Sequence, residues 1–101
     1  MSVTTSYVAF LRKKKTVQFY PMMATEFSCI PPSQLVTIAP IQNYADLQKQ
    51  DIVLCHINGR AHLHRISEYT GHSRLDRYTI IDTQGLVIGK IRGTAIFGKV
   101  I

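Results

Sequence analysis

Asp51-Ile52-Val53-Leu54-Cys55-His56-Ile57, then Asn58-Gly59, then Arg60-Ala61-His62-Leu63-His64-Arg65-Ile66 is the stretch on which the fold turns. Two runs rich in β-branched and apolar residues flank an Asn-Gly pair. Both residues of that pair tolerate the positive φ of a type I′ turn, so a tight β-hairpin is predicted. A two-residue turn also sets the register. Ile57 faces Arg60, Cys55 faces His62, Leu54 faces Leu63 and Val53 faces His64. Side chains alternate along a strand, so His62 and His64 share a face with Cys55, while His56 points the other way.

Outward from the hairpin, Thr16 to Tyr20 reads as a strand stopped by Pro21, and Gln34 to Ala39 as another closed by Pro40. Arg77 to Ile81 and Leu86 to Ile91 flank the turn tetrad Asp82-Thr83-Gln84-Gly85. Thr94 to Ile101 makes a final strand. Tyr44 to Gln50 is the best helix candidate, one or two turns long. Ser67 to Asp76 is polar, contains Gly71 and reads as a loop. Pro31-Pro32 forbids regular structure and marks an extended crossing segment. About six short strands with minor helix predict an all-β fold: a small, coiled, partly closed barrel or sandwich. Open edges on so small a sheet invite aggregation, so closure or a covering partner is expected.

With 101 residues the chain holds one domain, spanning 1–101, in which a basic segment at 1–15 leads into a β core at 16–101. A hydrophobic share of 46% is enough for a packed core and argues against disorder. No apolar run approaches the roughly 20 residues of a membrane span, and no apolar block with a cleavage site follows the basic run. Two cysteines, Cys29 and Cys55, are too few for a disulfide scaffold, so a cytoplasmic setting with reduced thiols is expected. Twelve Lys and Arg against six Asp and Glu leave a formal charge of +6, which suits nucleic acid, an acidic protein or an anionic surface equally.

Three readings compete for the histidine face of the hairpin. Cys55, His62 and His64 are weak candidate metal ligands of the soft and borderline kind that zinc accepts, with no second Cys or acidic residue close in sequence. One histidine on a rigid strand is also a fit general base near neutral pH. The plainest reading is that both are half-buried sheet residues. No metal or other cofactor is expected.

At this hairpin the chain resembles the LexA/signal-peptidase-like serine peptidase superfamily. Asp51-Ile-Val-Leu-Cys55 with His62-Leu-His-Arg-Ile66 is similar to that superfamily's hairpin segment. Ser33-Gln-Leu-Val-Thr-Ile-Ala-Pro40 is similar to the strand before it, and Tyr78 to Gly85 with Ile96 to Val100 to its ending. The resemblance implies a coiled β-fold and nucleophilic chemistry by a Ser that a Lys or His activates. The position matching the base is His64, and Asp82 falls where an acidic residue orients the histidine of Ser/His members. The nucleophile turn departs from the pattern. Counting back without a gap places Thr25, in Ala24-Thr-Glu-Phe27, at the serine position, while Ser28 needs a shifted alignment and Cys29 has only its thiol to recommend it. The methyl of Thr25 restricts its rotamers in a site shaped for Ser. Loss of catalysis is therefore expected. Neither the helix-turn-helix of repressor-type members nor the anchor of signal peptidases is expected here. What remains is a core fold of the kind carried as stand-alone phage genes.

Arg12-Lys13-Lys14-Lys15, beside Tyr7, Phe10, Phe19 and Tyr20, is the densest basic run; Arg65, Arg74 and Arg77 form a second set. Basic residues among aromatics grip phosphates and stack bases, whereas lysines on a first strand merely guard its edge. The leading expectation is a non-catalytic binding protein on a degenerate peptidase-like fold, a phage-encoded modulator of a host or phage protein, monomeric or homodimeric. The alternatives are a small hydrolase using Thr25 or Ser28 with His64 and Asp82, and a nucleic-acid-binding β-barrel.

Overall fold

The structure, a computed structural model, describes residues 3–20 and 34–101. Among the described residues lie one α-helix, α1 (Val3–Arg12), and seven strands: β1 (Val17–Phe19), β2 (Val36–Pro40), β3 (Ile52–Ile57), β4 (Arg60–Tyr69), β5 (Arg77–Ile81), β6 (Val87–Arg92) and β7 (Ile96–Val100). The β3–β4 hairpin forms as the sequence predicts. Asn58 and Gly59 take φ of 53° and 79°. Ile57 pairs with Arg60, Cys55 with His62 and Val53 with His64. Asp82 to Gly85 likewise turns β5 into β6, with Gly85 at φ 85°.

All pairings are antiparallel, in the order β1-β2-β7-β3-β4-β5-β6. The fold is thus all-β with minor helix, as expected, but the sheet is not closed: β1 and β6 remain separate edges. Closure is replaced by covering both faces of an open sheet. On one face Leu11 of α1 packs with Val17, Val36, Ile38, Leu54 and Leu63. The other face buries Val53, Cys55, Ile57, Ile66, Tyr78, Ile80 and Ile96 beneath Leu47. Consecutive residues Val53, Leu54 and Cys55 of β3 are therefore buried on alternate faces, which is why Ile52 to Cys55 reads as a continuous hydrophobic run.

Three local expectations change. Residues 44–50 carry only a 3-10 turn at Tyr44–Asp46, capped by the Asn43 side chain, because the chain must drop Leu47 straight into the core. The α-helix lies instead in the N-terminal segment. Its apolar residues Tyr7, Val8 and Leu11 recur at helical spacing and meet the sheet, so this segment packs into the core. Lys14, at φ 63°, closes α1: its amide donates to the Leu11 carbonyl and that of Lys15 to the Phe10 carbonyl, a Schellman cap built without glycine. Third, β4 runs on through Tyr69 rather than ending in a loop at Ser67. Ser67 is an extra residue between the pairs Ile66–Ile80 and Glu68–Thr79. This bulge swaps the inward parity, so Tyr69 rather than Glu68 faces Tyr78.

Candidate functional site

His62 and His64 lie two apart on β4, and their rings stack with centroids 5.4 Å apart. Cys55 faces His62 across the hairpin and is fully buried. Among the described residues no three His, Cys, Asp or Glu side chains converge to hold a metal ion. His64 is half-buried, and its Nδ1 is buried with no hydrogen-bond partner among the described residues. Burial and the neighbouring His62 push its pKa below the ordinary 6.5, against a weaker opposing pull from Asp82. A neutral imidazole at neutral pH is the state a general base requires.

Pairing of Arg65 with Ile81 places His64 and Asp82 side by side on adjacent strands. The Asp82 carboxylate is already engaged. Its Oδ1 accepts the Gln84 and Leu86 amides at 2.8 and 2.9 Å, so it knits the β5–β6 turn and acts on His64 by charge. Thr25, Ser28 and Cys29, the candidate nucleophiles, lie outside the described residues.

The lowered pKa of His64 has a sign that can be measured. The unfolded chain takes up the proton more readily than the folded one, so the neutral histidine's contribution is fully present above pH 6.5. It is lost as pH falls through that value toward the folded pKa. Denaturant unfolding of wild type and His64→Gln across about pH 8 to 5 should show the wild type losing more stability on acidification. Parallel curves would contradict this.

The basic residues fall into several settings. On the α1 side, Arg12 lies over the Phe97 ring at 5.2 Å and the Lys14 ammonium donates to the Ile41 carbonyl at 2.9 Å. Both line a cleft of about 200 Å³ with Tyr44 and Thr94, and Arg74 acts electrostatically on Tyr44. Lys13 and Lys15 are exposed, and Arg65 reaches the Gln50 carbonyl at 3.4 Å. Arg77 belongs elsewhere. On the outer face of β5–β6 it stands directly opposite Arg92, while Lys90 stands opposite Thr79 one step along the same face. A shallow cleft of about 330 Å³ runs between Glu68, Thr79, Arg77 and Lys90. Like charges directly opposed across strands destabilise a sheet. Among the described residues the sole ion pair is Lys99 with Asp51; Glu68 lines the same cleft but forms no ion pair with Arg77, Lys90 or Arg92.

Lys90 and Arg92 were missed by reading the sequence. Their place beside Arg77 depends on a register shift between Ile80 and Ile81, which unbroken counting back from the turn does not contain.

Compared with protein-family models, curated proteins and solved structures, the chain matches none. No helix among the described residues is long and apolar enough to cross a membrane.

Proposed function

We propose that this chain is a non-catalytic binding protein that engages a protein partner through the outer face of β5–β6, with a sequence that resembles a degenerate peptidase-like core. The observation that carries the reading is the opposed pair Arg77 and Arg92 with Lys90 beside them, exposed and without a carboxylate ion pair. Such an array costs stability in the free protein and is offset when an anionic partner binds. The run at Arg12 to Lys15 offers less, because Arg12 already lies over Phe97 of β7 and Lys14 is tied to the loop after β2.

Affinity capture from a bacterial lysate tests it, with wild type, His64→Ala and the double variant Arg77→Thr, Arg92→Thr as baits. Thr preserves strand propensity. Capture of a discrete protein by wild type and His64→Ala, and its loss with the double variant, is expected. Equal capture by the double variant defeats the reading.

A hydrolase is the second reading, favoured by one observation: His64 is a neutral base whose buried Nδ1 has no partner among the described residues. It requires labelling by a fluorophosphonate that disappears in His64→Ala. Absence of labelling in wild type removes it.

A further inference from the structure

β6 is the terminal strand of the sheet, and among the described residues nothing pairs with its outer edge. Its N–H and C=O groups on that side form a row of unpaired donors and acceptors. Leu86 and Val87, at the start of the strand, are 65% and 63% exposed, and Lys90 and Arg92 follow at alternate positions. Backbone edge, apolar end and basic face thus occur on one strand, with Arg77 extending the charge onto β5.

We propose that this edge takes an extended acidic peptide as an added strand, with two carboxylates at alternate positions over Lys90, Arg92 and Arg77 and an aliphatic residue against Leu86 and Val87. The proposal rests on the binding reading above and names the partner's chemistry. Strand addition supplies main-chain hydrogen bonds to a strand lying about 4.8 Å away, while alternate side chains supply specificity. Acidic residues at i and i+2 of the peptide share one face, matching the alternation of Lys90 and Arg92.

Two other occupants fit less well. A second copy pairing through the same edge brings two sets of Lys90 and Arg92 together, and like charges on an edge are the device that prevents such pairing. Edge protection by itself leaves Arg77 unexplained, since β5 is an interior strand. Single-stranded nucleic acid needs flat aromatic platforms for its bases. The strongly exposed apolar residues at β6 are the aliphatic Leu86 and Val87, and Tyr69, the aromatic that lines the cleft, is half-buried with its ring against His72 and Tyr78.

Fluorescence anisotropy on the full chain tests the proposal. The probe is a labelled ten-residue peptide alternating Glu and Thr and ending in Leu-Val. Three controls accompany it: the same peptide N-methylated at alternate amides, a version with Lys for Glu, and a ten-nucleotide oligothymidylate. Binding of the acidic peptide is expected, weakened about tenfold or more by N-methylation and by Arg77→Thr with Arg92→Thr, and abolished by the Lys exchange. Unfolding curves of the double variant establish that it is folded. No binding of the acidic peptide, equal binding after N-methylation, or tighter binding of the oligonucleotide overturns the proposal. If lysate capture still depends on Arg77 and Arg92 while the peptide fails, the strand-addition proposal falls and the binding reading stands. If capture is indifferent to those arginines, the binding reading falls.

Discussion

Replacing Tyr78 by Ala is expected to cost about 3–5 kcal/mol, a large share of the roughly 5–15 kcal/mol that holds a domain of this size together. Tyr78 is fully buried, among the largest such side chains described, and stands in the apolar cluster with Leu47, Val53, Ile66 and Ile80. Its ring meets that of Tyr69 at 6.0 Å, and its hydroxyl donates to the Ser73 carbonyl at 3.3 Å. The side chain therefore fills the core and ties down residues 70–76 at once. Tyr78→Phe separates the two roles. It keeps the ring and removes one hydrogen bond, for about 1 kcal/mol. A melting temperature lowered by about 15 °C or more for Tyr78→Ala, with a shift several times smaller for Tyr78→Phe, is the outcome to look for by calorimetry. Equal shifts would show that the hydroxyl, not the packing, carries the position.

Gly93→Ala is the second large effect. Gly93 is buried just after β6, in a short 3-10 turn, where residues 70–76 and the loop after β2 converge. Its amide donates to the Asp76 carbonyl at 3.1 Å, and its own carbonyl accepts the Tyr44 hydroxyl at 3.1 Å. A Cβ at this position meets the Arg74 Cα and the Ser73 carbonyl oxygen at 2.8 Å, and the Tyr44 ring at 2.8 Å as well. Two of these are backbone atoms with no rotamer to change, so one methyl group must push two loops apart. Overpacking of this kind costs about 1–3 kcal/mol, toward the upper end where the neighbours are rigid. Urea unfolding should show a lower midpoint together with faster amide exchange in residues 70–76. A midpoint unchanged from wild type would mean that the loops yield freely.

The pairing at the centre of the sheet was legible because its determinants are local. Asn58-Gly59 admits essentially one hairpin geometry, and period-two alternation then assigns each partner from Val53–His64 to Ile57–Arg60. The β5–β6 turn was legible for the same reason, since Asp82 caps the amides that follow it. Helix α1 was masked by its own composition. Charged and aromatic residues around Arg12 to Lys15 have the composition of a solvated surface, while the stripe formed by Tyr7, Val8 and Leu11 needs a sheet to pack against before it becomes informative.

The sequence by itself determined the strand-rich class, the central hairpin and the shared face of His62 and His64, because turn chemistry and alternation act over neighbouring residues. Tertiary structure decided the rest. Three register shifts, at Ser67, between Leu54 and Cys55 and between Ile80 and Ile81, arise without any local signature, and the last sets Arg77 against Arg92. Which edge stays open depends on how seven strands order themselves, a property of long-range pairing that no short stretch encodes. The basic excess counted along the chain became an oriented array only when β5 and β6 met. Charge is additive in sequence, but its effect depends on distance, and distance is set by the fold.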